Sequence, residues 1–502
     1  MEVDPVASCK WQVPSGQRPV LTAQRSTLNA QRSKLILVTV RLLLALSLLA
    51  LASVCSAQDA KAIDSFVESL MKKNGVPGLS LAVVRDGKLA YVKGYGFADI
   101  ENSVPATPDT VYEIGSVTKQ FTAALVLQQV EEGKLKLDEP VRTYMPDLPE
   151  AWKAVTIRHL LTHTSGIKSY TDVPAFYPRM RDPAGDGAFL SLVGKVKLDF
   201  EPGTDWKYDN SGYFLLGMLI EKVAGKSYRD TLQERIFRPL GMTHTDLNDW
   251  QNVVKNRARG YVARPNADPT NATYVDMSWP FAAGAMISTA VDMAKWDAAL
   301  YTDKILKQAT WTQVWTPVTL SNGTSRPYGF GWALGEMNGA TLIDHAGAIN
   351  GFNADISRVP SKKLTVIVMC NAFPGGIAEP VARKVLGLAD PSLVTVYKAI
   401  ADPDPGRAAS HKTLLESLVK GTASKEAFTD EMQKRLFPNF VDQVHGLLAD
   451  HGGIESFILM KLETTDGVER REYHAVLGGQ GLKMMVATNA AGKISGFSLQ
   501  LD

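Results

Sequence analysis

The sequence predicts an α/β (α+β) fold: an antiparallel sheet flanked by helices, with a helical subdomain and a small C-terminal α+β domain. The first observation is a helix followed by a β-hairpin after the leader, and the second is a strand–helix pair at Leu364–Met369 and Ala378–Gly387. Helical and irregular stretches separate these groups, which indicates one large domain around a helix-covered sheet. The third observation is the Pro-rich stretch Ala401–Gly406, beyond which the composition changes.

The composition is typical of a soluble globular protein and argues against a nucleic-acid partner. Of the 502 residues, 45% are hydrophobic and 21% are charged, so the chain can bury a sizeable core. Residues 1–57 carry six basic and two acidic side chains, and this net charge of +4 within a total of +2 leaves the rest near −2. We therefore expect no basic surface that would attract nucleic acid or an anionic membrane.

The first 57 residues resemble a secretory leader. A basic stretch ends at Arg41, and the apolar run Leu42–Val54 is too short to span a bilayer comfortably but suits the core of a signal peptide. Cleavage after Ala57 would release a mature chain without a membrane span into the periplasm or the extracellular medium. Three alternatives stay open: a lipidated Cys55, an anchor that remains attached, and translation that begins near Val38.

These signals divide the chain into four parts. They are a leader (1–57), a large domain (58–395), a linker (396–406) and a C-terminal α+β accessory domain (407–502). Of the three cysteines, Cys370 alone lies beyond the leader, so no intramolecular disulfide is expected in the processed chain. Because it ends an apolar strand, Cys370 is interpreted as a small buried residue.

The large domain begins with an amphipathic helix and a hairpin. Apolar residues recur at helical spacing over Ile63–Met71. Strands are predicted at Leu79–Arg85 and Lys88–Gly94, because the Asp86-Gly87 pair between two β-rich runs favours a tight hairpin turn. A further helix is predicted to begin at Ser116 and to end at Gly133.

Further elements are predicted towards the end of the chain. A strand at Thr341–Ile343 should end just before His345. In the C-terminal domain the predicted helices are Lys412–Val419, Lys425–Leu436 and Phe440–Asp450, and the predicted strands are Ser456–Leu462, Val468–Val476, Leu482–Ala487 and Lys493–Leu499. This order indicates helices packed on a curved antiparallel sheet.

Ser116-Val-Thr-Lys119 is the first candidate catalytic motif. Its i, i+3 spacing at the start of a helix brings the hydroxyl and the amine to one face. A serine hydroxyl needs a neighbouring base to take its proton, and a buried lysine has a lowered pKa that suits this role. Taken alone, however, the motif is frequent by chance and is better explained as an exposed helix start.

Two further motifs change this assessment. Tyr208-Asp-Asn210 lies in the stretch Pro202–Gly217, and His345-Ala-Gly-Ala348 follows the predicted strand Thr341–Ile343. In this order, the three motifs resemble those of the serine β-lactamase and penicillin-binding-protein-like superfamily, in the branch of class C β-lactamases, class VIII esterases and D-amino-acid peptidases. The resemblance covers roughly residues 60–390, and it is strengthened by the stretches Thr156–Gly166, Pro239–Thr245, Ala283–Thr289 and Tyr328–Trp332.

The resemblance implies a serine β-lactamase-like fold with its site between the sheet and the helical subdomain. Ser116 would be the nucleophile that becomes acylated, and Lys119, alone or with Tyr208, would take its proton. Tyr208 would pass a proton to the leaving group and later help to activate the deacylating water. Asn210 would orient Lys119 and the substrate amide.

The remaining site residues are also implied by the resemblance. The backbone N–H groups of Ser116 and Ala348 would form the oxyanion hole. His345 would stand where related enzymes carry a lysine that helps to bind the substrate carboxylate, which puts β-lactam hydrolysis in doubt. The candidate substrate-binding residues are Gly347, Tyr112 and Trp332. An aromatic side chain at the last two positions fits a core role at least as well.

No metal and no other cofactor is expected. His159 and His163 are four residues apart but lack the His-Glu-x-x-His pattern, so helix packing or a loop contact explains them better. Asp209 is interpreted as a solvated or hydrogen-bonded spacer inside its motif.

The predicted function is hydrolysis through an acyl-enzyme, with a small molecule or short peptide as substrate. Carboxylic esters and D-amino-acid amides or peptides are preferred, because an unperturbed histidine at position 345 would be mostly neutral at pH 7.5. The alternatives are a β-lactamase or DD-peptidase that acts on cell-wall peptide, and a slow-turnover acylated sensor. The acyl group, the leaving group and the oligomeric state do not follow from the sequence.

Overall fold

The computed structural model describes residues 57–265, 267–449, 453–477 and 480–501. These divide into two compact units, one that ends at Val394 and one that begins at Thr395. The predicted leader lies outside the described residues, apart from Ala57. Among the described residues, no helix is both long and apolar enough to cross a membrane.

A seven-stranded antiparallel sheet forms the centre of the first unit, in the order β11-β12-β13-β14-β1-β2-β3. Shorter strands form small two- and three-stranded sheets beside it. The strands of this unit are β1 (Gly78–Arg85), β2 (Lys88–Asp99), β3 (Val104–Pro105), β4 (Tyr112–Glu113), β5 (Asp246–Leu247), β6 (Tyr261–Val262), β7 (Thr270–Asn271), β8 (Met286–Ser288), β9 (Val318–Thr319), β10 (Ser325–Arg326), β11 (Ala333–Met337), β12 (Ala340–Ile349), β13 (Phe352–Val359) and β14 (Leu364–Cys370).

Helices cover both faces of this sheet. The helices are α1 (Ala57–Asn74), α2 (Thr118–Glu131), α3 (Ile157–Leu161), α4 (Asp186–Val193), α5 (Asn210–Ala224), α6 (Tyr228–Leu232), α7 (Arg238–Leu240), α8 (Phe281–Gly284), α9 (Ala290–Ala299), α10 (Gln308–Val314) and α11 (Ala378–Ala389). Helix α11 packs on β13, β14 and α1, whereas α9 packs on β1, β2 and β14. The structure is therefore the mixed helix and antiparallel-sheet arrangement that the sequence predicted.

Strand β14 illustrates why a central strand of the sheet has a nearly continuous apolar sequence. All seven of its residues are buried. Val366 and Val368 pack in the core shared with α1 and α11, while Ile367 and Met369 pack in the larger core on the opposite face. Because both faces are covered, the strand is almost entirely apolar, and its polar residue, Thr365, is buried with its hydroxyl donating to Asp297 Oδ1 at 2.8 Å. Cys370, at its end, is buried and unpaired.

The predicted hairpin is confirmed, with its turn at Asp86-Gly87. Both residues have positive φ, at 52° and 71°, as a tight type I′ turn requires. Two details differ from the sequence-based prediction. Ser116 lies in a 3₁₀ turn, Gly115–Val117, that precedes α2, and the strand predicted at Thr341–Ile343 extends over all of β12.

The second unit consists of three helices and a four-stranded antiparallel sheet. Its elements are α12 (Pro405–Val419), α13 (Asp430–Leu436), α14 (Asn439–Leu448), β15 (Ile454–Thr465), β16 (Val468–Leu477), β17 (Gln480–Thr488) and β18 (Ile494–Leu501). The helix predicted at Lys425–Leu436 begins only at Asp430, because Phe428 is extended and buried in the core of this unit. Of the predicted helix Phe440–Asp450, Asp450 lies outside the described residues. The predicted linker also falls in this unit, since α12 already begins at Pro405.

Candidate active site

Ser116 lies where the sheet meets the helical part of the first unit. Its 3₁₀ turn packs against β12 and β13 on one side and against α8 on the other. Helix α2 follows directly, so the turn fixes the hydroxyl at the beginning of the helix. Ser116 is partly exposed, whereas Lys119, one turn further on, is fully buried.

Lys119 contacts three hydrogen-bond acceptors. Its Nζ lies 3.0 Å from Ser116 Oγ, 2.9 Å from Asn210 Oδ1 and 2.8 Å from the carbonyl oxygen of Ala283. A neutral amine has two N–H donors and one lone pair, and the amide and carbonyl oxygens can only accept. The lone pair of a neutral Lys119 would therefore face the Ser116 hydroxyl.

Burial lowers the pKa of Lys119 to about 7, because a buried ammonium loses its hydration. The negative charge of Asp209 acts in the opposite direction and raises this pKa. Burial likewise raises the pKa of Asp209 to about 7, against the hydrogen bonds that it accepts and the nearby Lys119 charge. Near neutral pH, Lys119 can therefore exchange a proton.

Tyr208 and Asn210 are positioned by the start of α5. The Asp209 carboxylate caps this helix by accepting the N–H groups of Ser211 at 2.7 Å and Gly212 at 3.1 Å. Of the two alternatives left open for Asp209, the structure agrees with the hydrogen-bonded one, since the side chain is buried and caps the helix. Asn210, the first helical residue, donates through Nδ2 to Thr171 Oγ1 at 3.3 Å, which leaves its Oδ1 for Lys119.

The Tyr208 ring lies over the same amine. Lys119 Nζ is 4.8 Å from the ring centroid. Burial raises the pKa of Tyr208, and a hydrogen bond with the Ser116 hydroxyl partly opposes this shift. The phenol is therefore protonated at neutral pH and can donate a proton at the Ser116 side of the site.

Two glycines allow β12 to approach the Ser116 turn. A Cβ on Gly347 would lie 2.0 Å from the Ile114 carbonyl oxygen, and a Cβ on Gly115, which has φ of +49°, would lie 2.8 Å from the Ala348 nitrogen. Any side chain at either position would push strand and turn apart. The backbone of Ala348 consequently lies beside the turn that carries Ser116.

His345 occupies a different environment from the one expected. It lies inside β12 and is only 5% exposed. Its Nδ1 is 2.7 Å from the Ala346 carbonyl oxygen, which can only accept, so Nδ1 carries the proton and Nε2 accepts from the Tyr328 hydroxyl at 2.9 Å. Burial, and next the charge of Lys119, lower the pKa of His345 to about 3. His345 is therefore neutral, with both ring nitrogens already bonded.

The structure does not bring Tyr112 and Trp332 to this site as exposed pocket residues. The side chain of Tyr112 is fully buried and its hydroxyl lies 2.9 Å from Ser80 Oγ. Trp332 is also fully buried, and the Arg358 guanidinium lies 5.7 Å from its ring centroid. Both are core residues, the alternative that the sequence had left open.

No role at the site was predicted for two residues that pack near Tyr208. The Tyr328 hydroxyl donates a hydrogen bond to His345, and the centroid of the His163 ring lies 4.4 Å from that of the Tyr208 ring. Both lie in stretches that carried the family resemblance, Thr156–Gly166 and Tyr328–Trp332, so a signal was present without an assigned role.

His159 and His163 each form a hydrogen bond with a backbone N–H group near the site. His159 completes the capping box of α3, with its Nδ1 accepting the Thr156 N–H at 3.2 Å. In the part of the chain that the structure describes, no group of three or more histidine, cysteine or acidic side chains is arranged to bind a metal ion.

Comparison with known proteins shows which family this chain is similar to. The sequence model of the family described as "Beta-lactamase" matches residues 63–389. A D-aminopeptidase of Brucella anthropi is 32% identical over 340 residues, which is 66% of this chain and 62% of that protein. The chain thus spans less than two thirds of the length of this relative.

Two solved structures share the fold. A D-amino acid amidase from Ochrobactrum anthropi SV3 matches with a TM-score of 0.57 and 28% identity, over 66% of this chain and 97% of that chain. An octameric penicillin-binding protein homologue from Pyrococcus abyssi matches with a TM-score of 0.60 and 23% identity, over 88% of this chain and 98% of that chain. The second likeness concerns the fold alone.

Proposed function

Because the chain belongs to the Beta-lactamase family, we propose that it is a serine hydrolase that acts through an acyl-enzyme, with Ser116 as nucleophile. The observation that carries this proposal is the 3.0 Å contact between Ser116 Oγ and the buried Nζ of Lys119, whose pKa is about 7. A neutral lysine in hydrogen-bond contact with a serine hydroxyl is an activated nucleophile pair.

Acylation would proceed in two steps. Lys119 removes the hydroxyl proton while Ser116 Oγ bonds to the acyl carbon, and the carbonyl electrons move to oxygen. The resulting oxyanion is stabilised by the backbone N–H groups of Ser116 and Ala348. When the intermediate collapses, the bond to the leaving group breaks and Tyr208 donates its phenolic proton to that group, regaining one from Lys119.

Deacylation would reverse these roles with water. Tyr208 takes a proton from a water molecule that attacks the acyl carbon and passes its own phenolic proton to the neutral Lys119. The bond to Ser116 Oγ then breaks, Lys119 returns that proton to the serine, and the carboxylic acid leaves. Asn210, through its 2.9 Å contact with Lys119 Nζ, supports this cycle by keeping the amine beside Ser116.

We propose carboxylic esters and D-amino-acid amides or peptides as the substrate class. His345 supports this choice, because it is neutral and both of its ring nitrogens already take part in hydrogen bonds. It therefore offers no positive charge to the carboxylate that β-lactams and D-Ala-D-Ala peptides share. A charge-assisted hydrogen bond contributes about 1.5–3 kcal/mol, so its loss costs roughly ten- to a hundredfold for such acids.

Export is part of the proposal, on the basis of the leader that ends at Ala57. Protein isolated from its native host should begin near Gln58. Finding the Met1 or Val38 region intact on the mature soluble protein would contradict cleavage.

The test of substrate class compares kcat/KM for a p-nitrophenyl ester, a D-aminoacyl amide and a cephalosporin. We expect the ester or the amide to exceed the cephalosporin at least tenfold. A preference for the cephalosporin would contradict the proposed class. Pre-steady-state kinetics tests turnover in the same assay, because one equivalent of leaving group followed by no turnover would indicate an acylated sensor instead of a hydrolase.

A further inference from the structure

His163 has an unusual backbone conformation beside the site. It is 1% exposed and has φ of +60°, in the left-handed region that residues other than glycine rarely occupy. Such conformations are strained for a residue with a Cβ, and they persist where the surrounding contacts hold them in place. Several of the contacts that hold His163 involve Tyr208 or the residues on either side of it.

Two hydrogen bonds join His163 to the neighbours of Tyr208 on both sides. The carbonyl oxygen of His163 accepts the N–H of Lys207 at 3.0 Å, and its Nδ1 accepts the N–H of Asp209 at 3.1 Å. The backbone of Tyr208 is thereby fixed at both ends. Since Nδ1 accepts, Nε2 carries the ring proton, and burial lowers the pKa of His163 so that the ring stays neutral.

The imidazole also supports the Tyr208 ring directly. The two ring centroids are 4.4 Å apart with the planes tilted by 38°. The imidazole also lies 4.7 Å from the ring of Tyr328, whose centroid is 6.4 Å from that of Tyr208 and whose hydroxyl donates to His345. The three rings therefore pack against one another, so the Tyr208 ring has both of the others as neighbours.

We infer that His163 is a positioning residue for Tyr208, which holds the phenolic hydroxyl where it can transfer protons between Ser116, Lys119 and the leaving group. The inference rests on the proposed function, because it gives His163 a purpose only if Tyr208 transfers a proton. It separates His163 from His159, which lies four residues earlier and caps α3.

The experiment measures how strongly the rate depends on the leaving group. A p-nitrophenolate leaves without a proton, whereas an ethoxide needs one, so kcat/KM for the ethyl ester depends on Tyr208 and that for the p-nitrophenyl ester much less. We expect His163→Ala to lower kcat/KM for the ethyl ester about tenfold more than for the p-nitrophenyl ester. A purely structural defect would reduce both rates by the same factor.

Two further variants serve as controls. Asparagine tolerates positive φ and its Oδ1 can accept the Asp209 N–H, so His163→Asn should recover most of the leaving-group ratio lost in His163→Ala. His159→Ala removes the partly buried cap of α3 in the same segment and should lower the melting temperature without changing the ratio.

A double-mutant cycle with Tyr208→Phe decides the inference. If His163 acts through Tyr208, then adding His163→Ala to Tyr208→Phe should change the ratio no further. The inference would be overturned if the two substitutions changed the ratio by independent factors that multiply. It would also be overturned if His163→Ala lowered kcat/KM equally for both esters. If Tyr208→Phe itself leaves the ratio unchanged, the proposed role of Tyr208 fails instead, which keeps the two failures distinguishable.

Discussion

At the residue scale, the site depends on the burial of a lysine that must lose its proton. The groups around Lys119 can form hydrogen bonds with the neutral amine as well as with the charged ammonium. The pKa of Lys119, about 7, lies far below the ordinary 10.5. The base is the deprotonated amine, so activity should rise as the pH rises through about 7. The rising part of this pH–rate profile, its acidic limb, reflects the titration of Lys119 and Asp209 together, because their charges interact.

Replacing Asp209 by asparagine should move this limb to lower pH. The carboxylate charge raises the pKa of Lys119, so its removal lowers that pKa. Asparagine remains a good helix cap, so α5 should form as before. The measurement is the pH profile of kcat/KM for both proteins, with circular dichroism as the control for folding. An unchanged limb, or one displaced to higher pH, would contradict this electrostatic account.

The sequence predicted which polar residues meet at the site, but not what surrounds them. Ser116, Lys119 and Asn210 lie within hydrogen-bond contact as their motifs indicated. The environments of His345 and Tyr112 were not predictable, because burial and side-chain direction depend on tertiary packing. His345 was expected to face the substrate, but its Nε2 instead accepts a hydrogen bond from the Tyr328 hydroxyl.

At the element scale, the decisive feature is the close passage of β12 along the Ser116 turn. The strand was predicted too short because Ala346, Gly347 and Ala348 have little β-propensity. The small residues are there for another reason: Gly347 leaves room for the Ile114 carbonyl oxygen. Tertiary packing thus extended a strand that local preference would have ended.

Gly347→Ala should therefore disturb the site and the fold together. Its Cβ would lie 2.0 Å from a backbone oxygen that cannot rotate away, so β12 must shift. We expect a loss of about 1–3 kcal/mol in the free energy of unfolding and at least a tenfold loss of kcat/KM. Gly335→Ala on the neighbouring strand β11 is the matched control, since its Cβ would meet Leu342 at an ordinary 3.9 Å. Equal activity of the two variants would contradict the close-approach argument.

At the scale of the whole molecule, the chain consists of two units with separate cores. From the sequence we predicted a division in this region, because of the Pro-rich stretch Ala401–Gly406 and the change of composition beyond it. The position of the boundary was harder to predict, since contacts far apart in sequence fix it. The Ile400 N–H donates to the Leu459 carbonyl oxygen at 2.9 Å, and the buried Arg471 bonds Asp402 at 2.8 Å.

These contacts predict where the second unit can be cut. A fragment of residues 395–502 should unfold at a higher urea concentration than one of residues 407–502, which lacks Asp402. In both fragments Arg471 keeps its ion pair with Glu469, but in the shorter fragment it loses its ion pair with Asp402. Loss of one charge-assisted hydrogen bond from the buried guanidinium costs about 1.5–3 kcal/mol. Equal urea midpoints would show that residues 395–406 add nothing to this unit.

The most direct test of the central claim is covalent labelling of the nucleophile. A p-nitrophenyl phosphonate should react with one serine, and mass spectrometry of the digested protein should locate the label on Ser116. Ser116→Ala should abolish both labelling and turnover while the protein stays folded. A label on another serine of the intact protein, or full activity of Ser116→Ala, would contradict the account.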